Sequence, residues 1–257
     1  MREVRFRDPA GTIRTGEWLD GRDERERTDD TGDDDRVRFG DRTYSIEEVD
    51  VLTSCEPSKI VCIGRNYADH AAERDSDVPD RPLLFLKGPN AVASHGATIE
   101  LPADKERIEH EAELGVVIGQ QCRNVAEDEA MEVVAGFTCG NDLSNRDDQR
   151  VEQNWVRAKA FDNAAPLGPV LATPEEVPAD AAIRLWVDDE LRQDGSRSDL
   201  VFSIPELIAE ITTYLTLEAG DVILTGTPEG VGPLADGDEI EISIEGIGTL
   251  RHSVQVP

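Results

Sequence analysis

The sequence predicts an α+β, β-rich fold, a mixed roll or sandwich of short strands, and argues against a doubly wound α/β sheet. Three observations carry this. From Lys59 onward the chain is a series of short apolar runs separated by Gly, Pro and Asp turns: KIVCIG, PLLFLKG, AELGVVIG, GPVLAT, IRLWVDD, DVILTG and DEIEISIEG. Helical patterning is confined to two good segments, EDEAMEVVAGFT and SIPELIAEITTYLTL. No internal repeat divides the 257 residues.

Taken in order, residues 1–56 read as a small N-terminal β-rich module and residues 57–257 as the main domain, with the boundary near Pro57. VRFRDPAGTIRTGEWLD alternates apolar and polar residues around a P-A-G turn, the pattern of a hairpin. GRDERERTDDTGDDDR is a charge run with no apolar anchor and is expected to be a solvated loop. RVRFGDRTYSIEEVDVL resumes strand character around G-D. Of the two helical segments, SIPELIAEITTYLTL opens on Ser203 with Glu206 three residues on. That spacing lets each side chain cap the other residue's backbone N–H.

Composition narrows the function. The chain carries 55 Asp and Glu against 26 Lys and Arg, a formal net charge of -29. Such a field repels a polyphosphate, so nucleic acid is not an expected partner. No run reaches the roughly 18 to 20 uncharged apolar residues of a membrane helix. The opening MREVRFRDPAG has no apolar signal core, so a cytoplasmic location is expected. The cysteines, Cys55, Cys62, Cys122 and Cys139, form no C-x-x-C pair and no His cluster joins them. They read as reduced, mostly buried small hydrophobes.

HEAELGVVIG is the first informative site. In a strand, residues two apart share a face, so Glu111 and Glu113 project together, away from His110, Ala112, Leu114 and Val116. A third carboxylate, Asp142, lies in the polar turn CGNDLSNRDDQ. Three carboxylates without His or Cys suit a hard cation, Mg2+, Mn2+ or Ca2+. In a chain with 55 acidic residues, an E-x-E pair also arises on any solvated strand.

At Gly64-Arg65-Asn66-Tyr67-Ala68-Asp69-His70, followed by Glu73, the sequence resembles the opening motif of the fumarylacetoacetate hydrolase (FAH) family. Five further blocks agree in order: PLLFLKGPNAVASHGATIELP, HEAELGVVIG, GFTCGNDLSNRDDQ, WVRAKAFDNAAPLGPVL and ILTGTPEGVGPL. The resemblance covers residues 57–257. It implies a mixed β-sandwich roll like the FAH C-terminal domain, a homodimer, and a metal held by Glu111, Glu113 and Asp142. It further implies that Lys159 points towards the bound substrate, and that His70 and Glu73 form an acid/base dyad on a short helical lid. Asn163, Ala164, Ser94 and His95 depart from the family pattern, which bears on substrate choice.

These residues support a concrete chemistry on a small 2-oxo acid. A metal would act as Lewis acid and template for the carboxylate and 2-keto oxygens. His70 would take a water proton while Glu73 orients its ring across a helical turn. Lys159 would stabilise developing negative charge. Arg65, Arg146 and Gln149 are candidates for holding a carboxylate or acyl end. Thr227 and the backbone N–H groups of the Gly226 to Gly230 turn are candidates for the substrate carboxylate. Lys87 reads as a snorkelling lysine in a salt bridge.

The leading expectation is metal-dependent hydrolysis of a C–C bond in a 2,4-dioxo acid such as an acylpyruvate. Oxaloacetate decarboxylation and 2-hydroxyhepta-2,4-diene-1,7-dioate isomerisation are the alternatives. A non-enzymatic oligomer stabilised by a structural metal stands behind them.

Only four of the basic residues are lysines. An acidic, lysine-poor surface is what a halophilic protein uses, because dense salt screens its self-repulsion. The melting temperature should therefore rise from low to molar KCl, and a value independent of KCl would refute the halophilic reading.

Overall fold

The computed structural model describes residues 2–19, 35–73, 77 and 79–257. The charge run expected as a solvated loop falls at 20–34 for most of its length, outside the described residues. The predicted strands form. KIVCIG gives Ile60–Gly64, PLLFLKG gives Leu83–Lys87, AELGVVIG gives Ala112–Ile118 and DVILTG gives Val222–Leu224. Each is short because Gly or Pro ends it.

Among the described residues, one mixed twelve-stranded sheet runs through Arg2–Arg7, Ala165–Ala172, Val134–Asn141, Ala112–Ile118, Val222–Leu224, Ile60–Gly64 and Leu83–Lys87. A five-stranded sheet packs on it, built from Glu190–Ser196, Ala182–Val187, Glu239–Ile244, Gly248–Gln255 and Thr98–Glu100. One apolar cluster fills the space between, from Phe137 and Leu167 to Ile242 and Leu250. Burial explains the two kinds of strand sequence. Glu239–Ile244 buries Ile240, Ile242 and Ile244 and leaves the alternate residues partly or fully exposed. Ala112–Ile118 is buried at every position, so it reads as a continuous apolar run. This is the mixed, strand-rich roll the sequence predicts.

The N-terminal segment forms the expected hairpin, Arg2–Arg7 against Ile13–Leu19. Arg2–Arg7 also pairs with Ala165–Ala172, at Arg2 with Ala172 and Glu3 with Leu171. The helix Ile204–Tyr214 starts where predicted. The Ser203 hydroxyl accepts from the Glu206 N–H, and the Glu206 carboxylate accepts from the Ser203 N–H at 2.7 Å. Among the described residues no helix is long and apolar enough to cross a membrane. All four cysteines are free and buried.

The other predicted helix is corrected. EDEAMEVVAGFT is a 3₁₀ segment, Glu127–Val133, that gives way to the strand Val134–Asn141. Its N-cap, Ala126, offers no side-chain acceptor. The strand lies between Ala112–Ile118 and Ala165–Ala172, and Phe137 pairs with Val116 on one side and Ala172 on the other. Two ladders of backbone hydrogen bonds outweigh the local helical spacing.

The core also holds a titratable group. His252 is buried, and its Nε2 accepts from the Asn141 amide at 2.9 Å, because Asn141 Oδ1 already accepts from the Glu111 N–H. Burial pushes this imidazole down to about 4 from the ordinary 6.5. Between those values the unfolded chain binds a proton that the folded protein refuses, so stability is full above about 6.5 and falls as pH drops. In molar KCl, which screens the surface acids, the melting temperature should decline between pH 7 and pH 5. Burial pushes His95 down to about 4 as well and lowers His110, so His252→Gln should make that slope shallower without abolishing it, and identical slopes would remove His252 as a source.

Candidate active site

Strand order brings the predicted residues to one end of the large sheet. Glu113 lies in Ala112–Ile118 and Glu111 just precedes it. Asp142 follows directly on the paired strand Val134–Asn141, and its N–H donates to the Glu111 carbonyl at 2.9 Å. Ligand atoms of Glu111, Glu113 and Asp142 all lie within 4.8 Å of one another, and all three residues are buried. They border a cavity of about 280 Å³ that His70, Arg65, Arg146, Gln149, Lys159 and Thr227 also line. Glu73 reaches this group by its contact with His70, 3.3 Å from Oε2 to Nδ1 on the helix Ala68–Glu73.

Three like charges in an apolar sheet require compensation. Lys159 Nζ donates to Glu111 Oε2 at 2.8 Å, to Asp142 Oδ2 at 2.7 Å and to the Ser144 hydroxyl. All three ammonium hydrogens are thus engaged on the protein, where the sequence suggests a residue facing substrate. Arg146 bridges Glu111 and the fully buried Glu109, and its Nη1 donates to Gln149 Oε1 at 2.7 Å. Burial opposes ionisation of Glu111, yet Arg146 and Lys159 hold its carboxyl well below the usual range. Glu113 goes the other way. Burial, with Asp142 and Glu111 beside it, pushes its carboxyl well above that range. Its ligand is a backbone donor, the Gly226 N–H at 2.8 Å.

Lys87 differs from the snorkelling lysine that its sequence context suggests. Its side chain is fully buried. Nζ donates to the carbonyls of Leu143, Ala164 and Lys159, at 3.2 Å and 2.9 Å for the first two. With three donors used, it faces Asp142 Oδ1 at 2.7 Å as a charge, and that oxygen has no aligned hydrogen bond. Retention of this lysine in a lysine-poor chain was the signal available in the sequence.

The Gly226 to Gly230 turn also has internal duties. Gly226 adopts φ 100°, and a Cβ there would sit 2.9 Å from Asn66 Cβ. Its N–H, a candidate for substrate, instead holds Glu113. Thr227 Oγ1 accepts from Gln193 at 2.8 Å, which leaves the hydroxyl hydrogen free to point elsewhere. Gln193 itself escaped sequence reading. It reaches from the small sheet to the Ala112 N–H at 3.0 Å and to His110 at 3.2 Å, so it ties the sheets together behind the acids. Ile63, Leu83, Phe85 and Trp155 also line the cavity.

The donor set fits a hard divalent cation on two observations. Asp142 Oδ1 is buried without a hydrogen bond, and Glu113 has no cationic partner among the described residues. All the available ligand atoms are carboxylate oxygens.

Residues 59–255 match the Fumarylacetoacetate (FAA) hydrolase C-terminal family. The structure is similar to that of 5-carboxymethyl-2-hydroxymuconate delta-isomerase from Mycobacterium smegmatis, with a TM-score of 0.86 and 38% identity, covering 100% of this chain and 99% of that one. It is also similar to fumarylpyruvate hydrolase from Pseudomonas aeruginosa in complex with Mn2+ and pyruvate. There the TM-score is 0.73 at 33% identity, over 85% of this chain and 93% of the other. The mitochondrial oxaloacetate tautomerase FAHD1 of Homo sapiens is 43% identical over 204 residues, 77% of this chain and 92% of the relative.

Removing the buried Lys87 cation should strand three carbonyls and leave Asp142 Oδ1 facing no charge. Lys87→Met should cost about 3–5 kcal/mol in denaturant unfolding. A loss below about 1 kcal/mol would refute its role as the charge partner of Asp142.

Proposed function

This chain belongs to the fumarylacetoacetate hydrolase family and is an enzyme, and on that premise we propose that it hydrolyses a C–C bond in 2,4-dioxo acids of the acylpyruvate type. The observation that carries the reading is the His70–Glu73 pair, with His70 bordering the same cavity as Glu111, Glu113 and Asp142. A divalent cation, Mg2+ or Mn2+, would be held by those three carboxylates and would supply Lewis acidity toward the carboxylate and 2-oxo oxygens of the substrate.

The residues of the chain do the rest. With Glu73 Oε2 as the acceptor of the His70 Nδ1–H, Nε2 is the ring nitrogen that would take a proton from water. The water oxygen adds to the C4 carbonyl carbon, the C3–C4 bond breaks, and a proton returns to C3. The products are a carboxylic acid and pyruvate. Gln149 Oε1 is occupied by Arg146, so its amide N–H groups are the part of this cavity-lining side chain that would donate to substrate. Thr227 donates its hydroxyl hydrogen to the substrate carboxylate, since Gln193 already uses the oxygen as an acceptor. Lys159 keeps Glu111 and Asp142 charge-balanced and close together.

Oxaloacetate tautomerisation is the second reading, favoured by the 43% identity to the human tautomerase. It moves a proton between C3 and the 2-oxygen and needs no attacking water. One variant separates the two. His70→Ala, assayed with Mn2+ in molar KCl, should lower acetylpyruvate hydrolysis by about 100-fold or more and largely spare oxaloacetate enol–keto exchange. Equal losses would remove this division of labour. A wild-type protein inert toward acetylpyruvate would sink the hydrolase reading and leave tautomerisation.

A further inference from the structure

Among the described residues, three Lys and Arg side chains line the cavity: Arg65, Arg146 and Lys159. Arg146 and Lys159 are engaged with carboxylates. Arg65 is exposed and makes no hydrogen bond or ion pair with any described residue. A bare guanidinium at a cavity wall is conspicuous in a chain with 55 acidic residues. Its backbone is equally unusual. Arg65 adopts φ 59°, a region that a β-carbon disfavours and that Gly would occupy more easily. A long cation kept in a disfavoured conformation beside a cavity points to a ligand.

Register fixes where Arg65 stands relative to the acids. Leu224 pairs with Gly115 on one side and Cys62 on the other. Ala112–Ile118 runs antiparallel to Val222–Leu224, and Ile60–Gly64 runs parallel to it. Two residues further on, Glu113 and Gly64 therefore come level at the same end of the sheet. They are two strand spacings apart, about 10 Å. The hydrogen bond from Gly226 to Glu113 marks that end, and Arg65 follows Gly64 directly.

We infer that Arg65 binds the second carboxylate of a 2-oxo dicarboxylic acid whose 2-oxo acid end lies at Glu111, Glu113 and Asp142. The substrate class is then an acid anionic at both ends, with a short carbon chain against Ile63, Leu83, Phe85 and Trp155. A guanidinium offers two parallel donors to a carboxylate. It also offsets, at the cavity, the repulsion that a net charge of -29 exerts on a dianion. This inference rests on the proposed location of the 2-oxo acid end.

The test compares two probes that undergo the same hydrolysis, fumarylpyruvate with a distal carboxylate and acetylpyruvate without one. In the Mn2+-loaded enzyme in molar KCl, Arg65→Gln should raise KM for fumarylpyruvate by about 10- to 100-fold and leave that for acetylpyruvate nearly unchanged. An unchanged KM for fumarylpyruvate, or equal changes for both probes, would overturn the inference. If wild-type enzyme hydrolyses neither probe, the hydrolase reading fails separately, and both compounds serve as stable ligands. Calorimetric Kd values then decide. Weaker binding of fumarylpyruvate alone in Arg65→Gln supports Arg65, and equal Kd values in the two proteins overturn it.

Discussion

Crowding three carboxylates into the dry end of a β-sheet is the constraint around which the rest of this structure is arranged. Glu111, Glu113 and Asp142 are buried with ligand atoms within 4.8 Å of each other, a geometry that costs heavily unless each charge is answered. The answers are specific. Lys159 bridges Glu111 and Asp142, Arg146 bridges Glu111 and Glu109, and Lys87 faces Asp142 while donating to the Ala164 carbonyl. Glu113 alone receives a neutral donor, the Gly226 N–H. Glu113, with no cation beside it among the described residues, is where a bound divalent cation would add positive charge.

That arrangement depends on backbone approach as much as on charge. Gly226 has no room for a Cβ beside Asn66, and Asn66 in turn donates to the carbonyls of Phe202 and Thr225, at 3.1 Å and 2.8 Å. The GRNY segment is therefore clamped to the end of Val222–Leu224, which sets His70 and Arg65 on the cavity. On the other side, Gln193 ties the small sheet to Ala112 and Thr227. Two sheets and two loops meet at the acids, and each is held there by a named hydrogen bond.

Much of this was readable in advance, for reasons that differ by element. The strand runs were legible because Gly and Pro punctuate them and because their burial is complete. The capping box at Ser203 was legible because its chemistry is local. The pairing of Glu111 with Glu113 followed from the two-residue period of a strand. EDEAMEVVAGFT was not legible, because its strand character is conferred by partners on both sides that lie far off in sequence. Lys87 and Gln193 were not legible either, because a side chain's partners across a sheet leave no spacing to read.

By itself, then, the amino-acid order determined what depends on short-range periodicity and composition. That covers the β-rich class, the shared face of Glu111 and Glu113, the i to i+3 pairing of His70 with Glu73, and the acid excess. Tertiary structure alone decided which charges meet. Lys87 became a buried partner of Asp142, Lys159 had all three donors taken, the Gly226 N–H was assigned to Glu113, and Arg65 was left at the cavity without a partner among the described residues. Electrostatic roles follow distance in space, and distance in space follows strand order and register, which no local pattern encodes.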